Sequence, residues 1–393
     1  MAKRPVNQIK LAESLYGKVT WQKFRNFIRN KESPFLVIDL NTIKKNFNQL
    51  KRLMPYAKIF YAVKANPAIE IISLLSDLGA NFDVASVPEL DRVLEVGVTP
   101  DRVSFGNTIK KEKDIEYAYK QGIRMFACDS REELKKIDRS APGSKVFFRL
   151  LTEGSGADWP LSKKFGCHPS MIYELVLMAR DMDIIPYGIS FHVGSQQRDI
   201  GQWDNAISQV RYLFTSLAEE KVRLEMINLG GGLPAQYRTR TQSLKKYTAE
   251  ITRFLKEDFG EDLPEIIIEP GRSLVAEAGL IVSEVVLISK KSSTDLFDWV
   301  YLDVGKFNGL IETLDEAIKY PIVSEKSSVL EEVILAGPTC DSMDILYEHF
   351  KYSLPEDLEI GDRLYILSAG AYTKSYSSVE FNGFPPLKMY ILR

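Results

Sequence analysis

The run Lys58-Ile-Phe-Tyr-Ala-Val-Lys64, followed at once by Ala65-Asn-Pro67, decides how this chain reads. Its apolar middle has the length and the β-branched and aromatic content of a buried strand. A cation that ends such a strand must reach solvent or find an ionic or covalent partner. Comparable runs recur at Phe82–Ala85, Val103–Gly106, Met125–Cys128, Val146–Arg149, Gly188–His192, Met226–Leu229 and Ile266–Glu269. Helical patterns lie between most of them. Ile69–Leu78 is amphipathic and closes at Gly79, while Pro88–Val96 follows Ser86, a candidate N-cap, and closes at Gly97. Met171–Met182, Ile200–Glu220 and Ser243–Phe259 supply longer helices.

Strands of this kind alternating with helices predict an α/β chain whose residues 36–278 form a (β/α)8 barrel. Continuous apolar strands suit a parallel sheet covered on both faces. The first strand is followed by no G-x-G-x-x-G, which weighs against a doubly wound open sheet. After Arg272 the pattern changes. Leu280–Ile288, Trp299–Asp303, Val329–Leu335 and Arg363–Leu367 read as strands without regular helices between them. Residues 279–393, with 1–35, are expected to form a second, mainly antiparallel β domain, sandwich- or barrel-like, that completes the site.

Composition narrows the function classes. Of 393 residues, 45% are hydrophobic and 26% charged, as in ordinary soluble enzymes. A formal charge of −2 gives no electrostatic reason to bind nucleic acid or an anionic membrane. No apolar stretch approaches the roughly 20 residues of a membrane span. The opening Met1-Ala-Lys-Arg-Pro5 lacks the apolar segment of a secretory signal, so a cytoplasmic location is expected. Three cysteines (Cys128, Cys167 and Cys340) are odd in number and far apart, which suits neither a disulfide framework nor a zinc knuckle. With three scattered histidines, a metal site is not expected.

In a (β/α)8 barrel the carboxyl ends of the strands face the catalytic mouth. That rule gathers Lys64, Asp83, Arg149, His192, the triplet Gly230-Gly231-Gly232, Glu269 and Arg272. Each has a plainer reading when taken singly. Lys64 would be an ordinary strand-terminal lysine, His192 a hydrogen-bonded core residue, and Asp83 a helix cap. The glycines would be a tight turn and Glu269 a solvated carboxylate. Convergence on one rim favours chemistry. Bare amides after the seventh strand suit a phosphate. A lysine across the mouth suits an aldehyde, and a carboxylate opposite suits a protonated pyridine nitrogen. Phosphate, aldehyde and pyridinium together describe pyridoxal phosphate.

The motifs Tyr61-Ala-Val-Lys-Ala-Asn66, Phe82-Asp-Val-Ala-Ser86, His192-Val-Gly-Ser195, Gly230–Gly232, Glu269-Pro-Gly-Arg272, Gly337-Pro-Thr-Cys-Asp341 and Gly370-Ala-Tyr-Thr373 follow one another along the chain in the order of a known family. Through them the chain resembles the fold-type III pyridoxal-phosphate decarboxylases, the alanine-racemase-like group that acts on ornithine, lysine, arginine and diaminopimelate. The resemblance implies that Lys64 carries the cofactor, Glu269 pairs with the pyridine nitrogen and His192 stacks on the ring. It implies that Ser195, Gly230, Gly231, Gly232, Gly271, Arg272 and Tyr372 surround the phosphate. Asp83 then neighbours the lysine with Glu89 as a weaker second carboxylate, and Arg149 lies near the ring hydroxyl.

The same resemblance assigns Cys340 to reprotonation, donated by the second subunit of a homodimer, and makes Lys164 and Asp344 an intersubunit ion pair. A buried thiol is the plainer reading of Cys340, and surface solvation that of Lys164 and Asp344. For the substrate's distal end, Asp303, Cys340, Asp341, Tyr372 and Phe381 are the candidates. An aspartate after the cysteine suits a distal ammonium and would repel the second carboxylate of diaminopimelate. The expected reaction converts ornithine to putrescine in polyamine biosynthesis, with lysine to cadaverine as a second activity. Ser342 departs from the glycine of animal ornithine decarboxylases, a difference beside the distal-pocket candidates. Diaminopimelate or arginine decarboxylation, a racemase of this barrel type, and a non-catalytic homologue that binds regulatory proteins are the competing readings.

Overall fold

The structure, a computed structural model, describes residues 5–159 and 164–393. The chain divides into two compact units. One comprises Lys44–Pro234 and Thr241–Ser273; the other takes the residues up to Ile43, Ala235–Arg240 and Leu274–Arg393.

The first unit is built on β1 (Ala57–Ala62), β2 (Asn81–Val84), β3 (Val103–Phe105), β4 (Met125–Cys128), β5 (Ser144–Arg149), β6 (Ile184–Ser190), β7 (Met226–Asn228) and β8 (Glu265–Ile268). These strands pair in parallel and in chain order, and β8 closes on β1. Closure leaves no sheet edge. Phe60, Ala127, Phe147, Tyr187, Met226 and Ile267, from six of the strands, pack into one buried cluster. Helices follow each of the first seven strands; those at Ile69–Asp77, Val87–Glu95, Pro169–Arg180, Gly201–Glu219 and Leu244–Phe259 match the periodic stretches of the sequence. Gly79 and Gly97 take positive φ (85° and 82°) just beyond their helices, as the termination signals require. Ser86 stands at the N-cap position, but its side chain makes no cap bond. Glu89 instead reaches back to the Ala85 amide at 2.7 Å.

The second unit turns on the long strand Gly279–Ser289. Its first half pairs antiparallel with Phe35–Asp39 on one side and Arg363–Leu367 on the other; its second half pairs with Asp298–Leu302. Leu330–Ala336 and Ile345–Pro355 extend the sheet beyond Asp298–Leu302. Most pairings are antiparallel, although Asp298–Leu302 with Leu330–Ala336 and Phe35–Asp39 with Lys388–Leu392 run parallel. Helices Ile9–Tyr16 and Lys18–Ile28 bury Ala12, Trp21, Phe24 and Ile28 against Phe35, Val37, Leu280, Val282, Val323, Tyr365 and Leu367. The strand Phe35–Asp39 falls inside the span the sequence reading gave to the barrel, yet it pairs here. Its five buried residues carry no periodicity that distinguishes a barrel strand from a central strand of another sheet.

Candidate active site

β1 ends at Ala62, and Lys64 stands in the short 3-10 turn Val63–Ala65 that follows. Local bonds fix that turn. Tyr61 Oη donates to the Asn66 carbonyl at 2.8 Å, and the Ala62 amide donates to the Pro270 carbonyl at 3.2 Å. The loop after β8 therefore lies against the lysine turn, which brings Glu269 to the same end of the barrel. The Lys64 side chain is exposed, so it is not the buried cation its strand suggests. Its charge acts on Asp83, Glu89 and His192 together.

Asp83, in β2, is buried and accepts a bond from Ser104 Oγ of β3 at 2.9 Å. Burial, then the neighbouring Glu269 carboxylate, holds its pKa well above the usual range, with Lys64 and Ser104 pulling the other way. Gly106 makes the space: a β-carbon there would lie 2.0 Å from Asp83 Oδ1. Burial also raises the Glu89 carboxyl. Arg149 ends β5 with its guanidinium over the Phe165 ring at 4.9 Å. Burial lowers its pKa while Glu269, Asp129 and Asp83 act to raise it.

His192 follows β6. Its Nδ1 accepts the Gly194 amide at 3.0 Å, so a neutral ring carries its proton on Nε2. Burial first, then the charges of Arg149 and Lys64, keeps the imidazole well below its ordinary pKa. The ring lies close to the glycine turn after β7, since a β-carbon on Gly231 would sit 3.1 Å from His192 Nε2. Gly230 and Gly232 have φ of 62° and 97°. Added β-carbons would approach the Phe191 carbonyl to 2.1 Å and the Gly194 carbonyl to 2.7 Å. Only glycine fits this turn. Arg272, 4% exposed, donates to Ser195 Oγ through Nε at 3.2 Å and Nη2 at 3.0 Å.

Asn228, the last residue of β7, has no counterpart among the residues singled out from sequence. It is 1% exposed; its Nδ2 donates to Glu269 Oε1 and its Oδ1 accepts the Gly230 amide at 2.9 Å. A polar residue ending a buried strand just before the glycines was the available signal.

The barrel residues fit pyridoxal phosphate. The glycine turn is a cradle that any β-carbon would fill, with Ser195 and a buried arginine paired beside it. Lys64 supplies an exposed amine, Glu269 a carboxylate and His192 a neutral flat ring.

The remaining candidates lie in the second unit. The Cys340 thiol is exposed, which removes the buried-thiol reading, and its amide donates to Asn382 Oδ1 at 3.0 Å. That bond brings the cysteine to the turn Phe381–Gly383, where Phe381 packs on Phe307 with centroids 4.8 Å apart. Asp341 is half-buried; its Oδ1 accepts the Met343 amide at 2.8 Å, and its Oδ2 has no hydrogen-bond partner among the described residues. Asp303 Oδ1 is taken by Ser283 Oγ at 2.6 Å and the Glu284 amide at 2.9 Å, which ties two strands together. Tyr372 adopts φ of 62°.

Asp344 requires a correction. It is 2% exposed, and its carboxylate accepts the Lys306 amide at 2.7 Å, the Thr339 amide at 3.1 Å and Thr339 Oγ1 at 2.7 Å. A buried carboxylate held by donors of its own unit is a latch, which corrects the solvated-surface reading. Lys164 is exposed.

Comparison with known proteins agrees with this geometry. Residues 40–276 match the family described as pyridoxal-dependent decarboxylase, pyridoxal binding domain. Ornithine decarboxylase of Saccharomyces cerevisiae is 32% identical over 90% of this chain and 79% of its own. Antizyme inhibitor 2 of Xenopus laevis is 35% identical over 89% and 79%. Among solved structures, SrLDC in complex with PLP and cadaverine superposes with a TM-score of 0.85 at 28% identity, covering 94% of this chain and 93% of its own. The Paramecium bursaria Chlorella virus arginine decarboxylase bound to agmatine gives 0.87 at 28%, covering 94% and 100%. The chain belongs to the fold-type III pyridoxal-phosphate-dependent decarboxylases of basic amino acids.

Proposed function

We propose that this protein decarboxylates L-ornithine to putrescine, with L-lysine to cadaverine as a second activity, and so serves polyamine biosynthesis. The observation that carries the substrate class is Asp341. Its half-buried carboxylate keeps Oδ2 unpaired among the described residues, beside an exposed thiol and the Phe307–Phe381 ring pair. An oxygen held ready by its own Asx turn suits a distal ammonium, and flat rings suit an alkyl chain. Asp303, whose Oδ1 accepts from Ser283 Oγ and the Glu284 amide, is the second candidate for that task. The products in the solved relatives, cadaverine and agmatine, are likewise cations.

Bound pyridoxal phosphate supplies the sink for the electron pair left when carbon dioxide departs. The chain's own residues do the rest. Lys64 Nζ would hold the cofactor through its aldehyde carbon. Glu269 keeps a proton on the ring nitrogen, which a neutral nitrogen would need in order to accept charge well. His192 presents a neutral ring, and Gly230–Gly232, Ser195, Arg272 and Tyr372 hold the phosphate. Cys340, from a second copy of the chain, stands on the side where a proton returns to the α-carbon. A shared site in a homodimer, and a cytoplasmic location, complete the reading.

Release of labelled carbon dioxide from ornithine, lysine, arginine and diaminopimelate at matched concentration tests it. Ornithine should be fastest and lysine second, because a single methylene in an apolar pocket changes selectivity by only about 1–3 kcal/mol. Faster turnover of diaminopimelate than of ornithine would reject the role given to Asp341, and faster turnover of arginine would reject ornithine as the substrate while leaving that role intact. The similarity to an antizyme inhibitor favours a second reading, a regulatory binding protein without catalysis. Lys64, Glu269, Arg272, Cys340 and Asp341 are all retained, and no release from any of the four substrates would establish that reading instead.

A further inference from the structure

We infer that Asn228 is a positioning residue that fixes the orientation of the Glu269 carboxylate and couples it to the phosphate-binding turn, so that ring nitrogen and phosphate are held as one unit. The inference rests on the placement of Glu269 and the glycines at the cofactor proposed above. Asn228 is the only described side chain in β7 that bonds both groups, and each bond specifies its partner.

The amide orientation is fixed by its neighbours. Gly230 N–H must meet an acceptor, so Oδ1 faces the turn; Nδ2 then faces Glu269 and donates to Oε1. A carboxamide nitrogen can donate and cannot accept. Glu269 Oε1 is therefore occupied by a fixed donor, which sets the rotation of the carboxylate. The second Glu269 oxygen is left for a protonated ring nitrogen. The Glu269 amide closes the circuit by donating to the Gly230 carbonyl at 2.8 Å. Glu269 and Gly230 are thus joined twice, once through backbone and once through a buried side chain that is 1% exposed. Movement of the turn after β7 cannot occur without disturbing the carboxylate after β8.

Two substitutions separate the functions of this amide. Asn228→Asp retains an acceptor for Gly230 but replaces the donor toward Glu269 with a second carboxyl group. At low pH that carboxyl carries a proton and can donate it; as pH rises the two carboxylates repel. Asn228→Leu removes both bonds at similar volume. Glu269→Gln serves as the control for the placement itself.

The test uses full-length holoprotein, with cofactor dissociation constants from absorbance titration and the bound cofactor's spectrum followed from about pH 6 to 8.5. Asn228→Leu should weaken cofactor binding on the order of tenfold at every pH. Asn228→Asp should bind nearly as wild type near pH 6 and lose on the order of tenfold by pH 8.5, with a matching pH-dependent change in the spectrum. The Asn228→Asp apoprotein should itself lose thermal stability as pH rises, because the two neighbouring carboxylates repel without cofactor too, so affinities are compared at a temperature where thermal unfolding shows every apoprotein folded. If Glu269→Gln alters spectrum and affinity while both Asn228 variants match wild type, the positioning role is overturned and the site stands. If Glu269→Gln changes neither, the placement of the cofactor fails, and this inference with it.

Discussion

Asp83 illustrates what the site costs the fold. Its carboxyl is buried, faces Glu269 and is favoured as an anion only by Lys64 and the Ser104 hydroxyl. Because burial raises its pKa, the folded chain keeps a proton that the unfolded chain gives up. Stability is therefore unaffected below the unfolded value and falls as pH rises from about 4 toward the folded value. His192 has the opposite slope. Its depressed pKa means that the unfolded chain takes up the proton first, so stability falls as pH drops below about 6.5. Both buried groups lower the stability of the fold at one end of the pH range. Asp83→Asn should raise the thermal midpoint of the apoprotein, and the gain over wild type should be larger at pH 8 than at pH 4. Equal midpoint shifts at the two pH values would show that Asp83 does not hold its proton in the fold.

At the scale of elements, the ends of structures matter more than their interiors. Asp344 shows this outside the barrel. It reaches the Lys306 amide from one segment and Thr339 from another, in space left by Gly305 and Gly337, whose added β-carbons would each lie 2.3 Å from its Oδ1. Losing it strands buried amides that nothing else is placed to satisfy. Asp344→Ala should destabilise the protein by about 2–4 kcal/mol in denaturant unfolding; a change below about 0.5 kcal/mol would mean that water or a rearranged loop replaces the carboxylate.

The contrast between Asp344 and the barrel explains what the sequence disclosed. In a parallel barrel, each side chain at the mouth lies at the end of its own apolar run, so Lys64, Asp83, His192 and Glu269 are marked locally. Asn228 escaped because its meaning lies in partners 41 and 2 residues away that only the closed sheet brings together. Asp344, between Met343 and a strand, reads as a turn residue in water, and its backbone donors cannot be inferred from spacing. The strand Ile345–Pro355 was missed for a related reason: Glu348, His349 and Lys351 interrupt its apolar pattern. Its turn-side amides at 348, 349 and 350 are collected by the distant Glu316 carboxylate.

At the scale of the whole molecule, the proposed reading pairs Lys64 of one chain with Cys340 of a second copy. The barrel residues that fit the cofactor all belong to one unit, whereas Cys340, Asp341 and Phe381 belong to the other. Complementation separates an active site shared between subunits from one contained in a single chain. Lys64→Ala and Cys340→Ala chains should each be inactive or nearly so. If sites are shared in a homodimer, a hybrid dimer has one site lacking both side chains and one site with both intact. Random exchange makes about half of the dimers hybrid, so the mixture should recover about one quarter of wild-type activity. Denaturing and refolding the two variants together, with differently tagged chains to verify exchange, makes the measurement direct. Self-contained sites predict no recovery however complete the exchange, because every Lys64 would remain paired with an alanine at position 340. Recovery near one quarter would place Cys340 across the subunit boundary and make assembly a condition of catalysis.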